Sequence, residues 1–493
     1  MEYIENASTA NSYVKQQGLT FDLFIRLIKD IVSGVACLFD NSMVHGDIKP
    51  SNVLVDSNGG IVSDLGSALR TNVPVDTQIT FTGKYAHPEK IAEAAKTGDS
   101  NRYRKKITKT DRLMIWDIYS LGCTILELLE QYSEANRSLI TPYNYRYLKL
   151  LGSRMLDARG STYFSHYNFP TSFYRETSYQ EISGILDDLR KLTGEYSPTA
   201  FLPELNFHST DVVQGGMFGA TPTSPELLQL LKHPTLRRLN SISQLGLILF
   251  LYPGATHSRG EHSFGVFSNV ARILDALWHD PGNPMFRQLM NPPDLRACML
   301  AGLLHDIGQY PLAHDLEDAD SFFFDHEAVG RAFFDKQVDG EVPVSELLDT
   351  LWPAVSGESK MSRRVRDILD AKSLGGHTRL KNHMLHSIID GPIDADKLDY
   401  LPRDGSKLGI PYGAGVDFQR LMKVITIVHT IEGGTKVKAA LGIHENGKVA
   451  AESVAFARYA MFGAVYWHRT SRAVKAMLSH AVWNMLIIEH CII

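Results

Sequence analysis

Cysteine is scarce in this 493-residue chain: Cys37, Cys123, Cys298 and Cys491 stand far apart and without pair spacing. That excludes a disulfide framework and a thiolate zinc site, and it fits a reducing cytoplasm. Long apolar runs are lacking too. Stretches such as Leu245 to Tyr252 are too short to span a bilayer, so no membrane partner is expected. The first residues, Met1-Glu2-Tyr3-Ile4-Glu5-Asn6, carry acid where a secretory signal would carry base. There is no basic excess: 50 Lys and Arg against 55 Asp and Glu leave a net charge of −5, which disfavours nucleic acid as a partner. Internal repeats and low-complexity tracts are absent as well. What remains is a globular, cytoplasmic composition, 44% hydrophobic, long enough for two or three cores.

Two groups of motifs stand out. In the first part, Phe21 to Phe39 has helical apolar spacing, and a hairpin turn is predicted at Asn58-Gly59-Gly60. Around that turn lie His45-Gly46-Asp47-Ile48-Lys49-Pro50-Ser51-Asn52 and Ser63-Asp64-Leu65-Gly66. Tyr85-Ala86-His87-Pro88-Glu89 and Trp116-Asp117-Ile118-Tyr119-Ser120-Leu121-Gly122 follow in order. This set resembles the large lobe of protein kinases. The resemblance implies Asp47 as acceptor of a hydroxyl proton, Asn52 and Asp64 as magnesium ligands, and Lys49 as a contact to the transferring phosphate. Gly46 and Leu65 depart from the usual Arg and Phe. No glycine-rich loop, strand lysine or partner glutamate precedes the set, so the small lobe is expected to be missing. Mg-ATP would then bind only if a small lobe were supplied, and kinase catalysis by this chain alone is not expected. The basic stretch Thr97 to Arg112 reads as a solvated insertion, Ile182 to Leu192 as a helix, and the Gly/Pro/Ser/Thr-rich residues 197–225 as a linker.

In the second part, Ser243-Gln244-Leu245-Gly246 precedes Pro253-Gly254-Ala255-Thr256-His257-Ser258-Arg259-Gly260-Glu261-His262-Ser263. Leu303-Leu304-His305-Asp306-Ile307-Gly308-Gln309 and Asp394-Ala395-Asp396-Lys397-Leu398-Asp399-Tyr400 follow. A His-Asp pair closing an apolar run is costly to bury unpartnered, and a divalent cation is a suitable partner. Together these motifs resemble HD-domain phosphohydrolases, and within them the deoxynucleoside triphosphate triphosphohydrolases, over roughly Leu227 to the C-terminus.

The resemblance implies a metal set of His262, His305, Asp306 and Asp396, with the ion (Mn, Fe, Mg, Zn or Ni) undetermined and His257 structural. His314 and Glu317, three apart on one helical face, together with His326, are implied as the acid–base group. Contacts to phosphate and sugar are implied for Gln244, Arg259, Lys397, Tyr400, Asp404, Arg458 and Tyr466. Gln309 stands beside the phosphates where the family commonly has His, and an amide cannot transfer a proton. Strand-like runs lie between Lys423 and Glu452, with a hairpin turn predicted at Glu445-Asn446-Gly447-Lys448, and helix resumes from Ser453 to Arg469. The apolar helical face at Ile488–Ile493 suggests truncation or burial against another subunit, and so a homo-oligomer.

The sequence thus describes a mainly α protein. A kinase-like large lobe (1–196) and a linker (197–225) lead into an all-α HD phosphohydrolase domain with a small β-hairpin insertion (226–493). Its expected reaction is metal-dependent hydrolysis of nucleotides, foremost deoxynucleoside triphosphates, to nucleoside and triphosphate. A signalling kinase with an HD effector module, or a non-catalytic nucleotide sensor, are the alternatives.

Overall fold

The computed structural model describes residues 7–71, 75–98, 101–107, 112–156, 169–317, 326–371, 379–433 and 436–490. The chain divides into two compact units, each with its own core. The first comprises residues 1–197 with 281–289 and 430–437; the second comprises 198–280, 290–429 and 438–493.

In the first unit, helix α1 (Phe21–Asp40) buries Phe24, Leu27, Ile28, Ile31, Val32 and Val35, the face its i, i+3, i+4 spacing predicts. Thr20 caps it by accepting from the Leu23 amide. Phe24 stacks on Tyr132 of α2 (Leu113–Ala135) with ring centroids 4.1 Å apart. Helix α2 is buried nearly all round, and Gly122 lets α3 (Pro142–Met155) approach: a Cβ there would lie 2.6 Å from that of Met155. Strands β1 (Val53–Val55) and β2 (Gly60–Val62) form the expected hairpin, with Val55 opposite Gly60. Helix α4 (Ile182–Thr193) stops at Gly194, whose φ of +77° suits glycine.

The basic stretch after Thr97 differs from expectation. Arg102–Ile107 is a strand paired antiparallel with Val75–Thr80, and Ile79 and Tyr103 face each other, both buried. Strand alternation turns Tyr103 inward, while Lys105 lies 3.3 Å from Glu93 and over the Trp116 ring.

The second unit corrects the linker. Residues 198–225 belong to it and include a hairpin, Val212–Gly216 with Gly219–Pro222, set on helix α5 (Arg259–Trp278). A Cβ at Gly215 would lie 2.6 Å from the Phe264 ring, and Thr221 donates to Ser268 at 2.7 Å. The glycines that suggested flexibility here permit close packing. Helix α5 lies against α6 (Pro292–Leu304) and against α8 (Ala395–Leu408), while α7 (His326–Asp335) stands before α8 in sequence.

Ile425–Glu432 pairs with Lys436–Ile443 in a second two-stranded sheet, and Gly433 after the first strand has φ +57°. Glu445–Gly447, expected as the hairpin turn, is instead a 3₁₀ turn opening helix α9 (Lys448–Met461). The helix-forming run Lys448-Val449-Ala450-Ala451-Glu452 overrides the Asn-Gly signal. A π-helical turn at Phe462–Tyr466 follows, then α10 (Arg469–His490). Among the described residues no helix is long and apolar enough to cross a membrane.

Candidate metal centre and its cavity

Three helix ends of the second unit meet. His262 lies in the first turn of α5, His305 caps the C-terminus of α6, and Asp396 lies in the first turn of α8. One ligand atom from each lies within 4.8 Å of the others. His262 Nε2 is 3.1 Å, and His305 Nε2 3.9 Å, from the same Asp396 Oδ1. Donors sharing a transition ion at about 2.0–2.2 Å each sit roughly 3 Å apart. The donor set therefore fits such an ion.

The other ring nitrogens are engaged, which sets the tautomers. His262 Nδ1 is 2.9 Å from Asp399 Oδ2, and His305 Nδ1 is 2.8 Å from the Gly302 carbonyl. Each is best read as an N–H donor, which leaves Nε2 to face the centre. Asp399 is itself buried and held by two of the three Arg403 nitrogens, Nε at 2.9 Å and Nη2 at 2.8 Å. Burial works against charging His262, but the hydrogen bonds it donates to Asp396 and Asp399 outweigh it and raise its pKa to about 10. Asp306 lies alongside, 4.0 Å from His262 Nε2, with Oδ2 held by Arg259 at 2.8 Å. Burial opposes its charge, yet His305, Arg259 and His262 hold it well below the usual carboxylate range.

The centre opens on a cavity of about 510 Å³. Of the residues singled out by sequence, Gln244, Arg259, His262, His305, Asp306, His326, Asp396, Tyr400, Asp404 and Tyr466 line it. Asp404 accepts from His257 Nε2 at 2.8 Å and from the Tyr466 hydroxyl at 2.5 Å. The buried Gln244 Oε1 has no hydrogen-bond partner among the described residues. His326 Nδ1 lies 3.2 Å from both Glu317 oxygens, so Glu317 is paired with His326; the His314 side chain lies outside the described residues.

Three of the residues singled out by sequence do not line the cavity. Lys397 turns away, bonded to Asp394 at 2.5 Å and to the Gly391 carbonyl at 2.9 Å, because Asp394 caps the same helix end. Gln309 is fully buried and does not line the cavity. Arg458 is exposed and stands over the Phe462 ring, 5.6 Å from its centroid. Sequence reasoning missed the orienting role of Asp399, which sits three residues after Asp396 on one helix face. It also missed Arg331, Arg366, Asp370, His386, Asp390 and Lys475 on the cavity wall; no motif spacing announced these.

In the first unit, Lys49 Nζ lies 2.6 Å from Asp47 Oδ2, and Asn52 Nδ2 donates to the Asp47 carbonyl at 3.0 Å. Asp64 takes a left-handed backbone, φ +60°. The buried Asp117 accepts from the His45 and Gly46 amides at 2.5 and 3.0 Å and so shapes the loop. Thr82, which sequence did not single out, donates its amide to Asp47 Oδ1 at 2.7 Å.

Residues 259–367 match a family model described as HD domain, and 416–491 match one described as HD associated region. The chain carries an HD domain. Residues 1–149 match a model described as protein kinase domain, so a kinase-like region precedes it. An uncharacterised protein of Methanocaldococcus jannaschii is 31% identical over 52% of this chain and 45% of its own length. The YwfO protein of Bacillus subtilis is 30% identical over 49% of this chain and 48% of its own. The human deoxynucleoside triphosphate triphosphohydrolase SAMHD1 is 26% identical over 45% and 37%. The chain thus spans about half or less of the length of these relatives.

Proposed function

We propose that the HD domain is a metal-dependent phosphohydrolase of nucleotides, with deoxynucleoside triphosphates as substrate and nucleoside plus triphosphate as products. The observation that carries this is the meeting of His262, His305 and Asp396 from three helices, beside Asp306, at the wall of a cavity of nucleotide size. Likeness to SAMHD1 supports the choice of substrate. His262, His305, Asp396 and Asp306 hold the ion, which when bound polarises a phosphoryl oxygen and lowers the pKa of water.

The chain's own residues do the rest. His326, with Nδ1 engaged by Glu317, presents Nε2 as the proton donor to the departing 5′ oxygen. Asp404 keeps lone pairs for a sugar hydroxyl, since His257 and Tyr466 occupy one on each oxygen, and Gln244 Oε1 adds a second acceptor. Burial raises the Tyr400 and Tyr466 pKa values, with Asp404 adding to the rise at Tyr466, so both remain neutral phenols.

The test is incubation with each deoxy- and ribonucleotide under Mn²⁺, Mg²⁺, Fe²⁺, Zn²⁺ or Ni²⁺, with products separated by chromatography. Release of deoxynucleoside and triphosphate, lost in Asp306→Ala, is the expected result. Metal-loaded protein that binds deoxynucleotides without turnover overturns it in favour of a sensor.

A further inference from the structure

Gln309 ends the turn that carries His305 and Asp306, and its buried carbonyl needs a donor, as does that of Ile307. The chain leaves α6 at this point, so helical amides no longer reach these oxygens. Arg238 supplies both bonds: Nη1 donates to the Gln309 carbonyl and Nη2 to the Ile307 carbonyl. The same guanidinium lies over the ring of Phe333, 4.3 Å from its centroid. Phe333 belongs to α7, the helix that begins at His326. One planar cation therefore touches the segment bearing two candidate ligands and the helix bearing the candidate proton donor.

The two segments also meet directly. A Cβ at Gly308 would lie 2.0 Å from the His326 carbonyl and 2.3 Å from the Gly330 amide, so backbone packs on backbone with no side chain between. The metal end of the turn has its own anchors, His305 on the Gly302 carbonyl and Asp306 on Arg259. Helix α7 is held against the turn by the Gly308 contact, by the Arg238–Phe333 clamp, and by Glu317, which accepts from the Tyr310 hydroxyl at 3.4 Å and from the His326 amide at 2.9 Å.

We propose that Arg238 is a positioning residue that fixes the distance between the metal centre and His326, acting through the Ile307–Gln309 carbonyls and Phe333. This rests on the phosphohydrolase reading for its effect on turnover, but not for its effect on the fold of the turn. Lysine cannot reproduce it, since an ammonium has no planar fork for two carbonyls and no flat face for the ring.

The test compares wild type, Arg238→Lys and Phe333→Leu, full length, by three measurements. Amide hydrogen exchange of residues 305–311 and 326–331 should quicken in Arg238→Lys, with the first unit unchanged. Phe333→Leu should quicken 326–331 alone. Mn²⁺ affinity by titration calorimetry should change less than about threefold, because the ligands keep their own anchors. With dGTP as probe, kcat should fall at least tenfold in Arg238→Lys with KM within about threefold. Unchanged exchange in both segments overturns the proposal, and so does a loss of Mn²⁺ affinity that parallels the loss of kcat. Absence of dGTP turnover in wild type counts against the phosphohydrolase reading alone, and exchange with Mn²⁺ affinity then decides the role of Arg238. Should Arg238→Lys unfold, Phe333→Leu carries the test, and unchanged exchange at 326–331 overturns the clamp.

Discussion

Between Asp396 and Asp399, His262 holds a proton where a cation fits. With its pKa raised to about 10 from an ordinary value near 6.5, this proton stabilises the metal-free fold. The contribution is fully present below about pH 6.5, shrinks as pH rises, and is gone once pH passes the folded pKa. A bound ion replaces the proton and removes that dependence, so ion uptake near neutral pH releases a proton. Chelator-treated protein should therefore lose Tm between about pH 6.5 and 10 relative to Mn²⁺-loaded protein, read by scanning fluorimetry at each pH. Parallel curves would argue against a shared proton-and-ion position.

Helix ends, not helix middles, build the centre. The C-terminus of α6 presents its negative end at His305, which suits a cation, while Asp396 in the first turn of α8 suits a helix N-terminus. Such placement needs the turn after α6 to lie flat against α7, and Gly308 allows it. Gly308→Ala would force backbone atoms apart, since its methyl would lie 2.0 Å from the His326 carbonyl. We expect a fall in Tm of several degrees and loss of deoxynucleotide turnover. Gly415→Ala, whose Cβ would meet only an ordinary contact at 3.6 Å, should stay within about 0.5 kcal/mol of wild type. Equal effects of the two substitutions would remove the argument from close approach. Gly308 is visible in the sequence but its partner is not, because a glycine advertises space without naming what fills it.

Each of the two units has its own core, and every residue of the candidate centre belongs to the second. Calorimetry should thus resolve a transition that rises with Mn²⁺ and one that does not. At an ion concentration about 100 times Kd the shift corresponds to roughly 2.7 kcal/mol. Phe24→Ala, which removes the ring stacked on Tyr132, should lower only the Mn²⁺-insensitive transition, by about 3–5 kcal/mol. A single transition that shifts as a whole with Mn²⁺ would contradict this.

Local pattern alone determined several things. The apolar face of α1 follows from spacing, and the hairpin at Asn58–Gly60 follows from turn chemistry. His262, His305 and Asp396 are singled out through the resemblance of their motifs to HD-domain phosphohydrolases, and the structure brings the three together. Tertiary structure decided which way side chains on those elements turn. Lys397 shares a helical turn with Asp396 yet faces Asp394, Glu317 meets His326 nine residues on, and Asp399 is drawn to His262. Spacing along a chain sets which residues share a face, but the partner opposite that face is supplied by distant segments, and only packing brings those near.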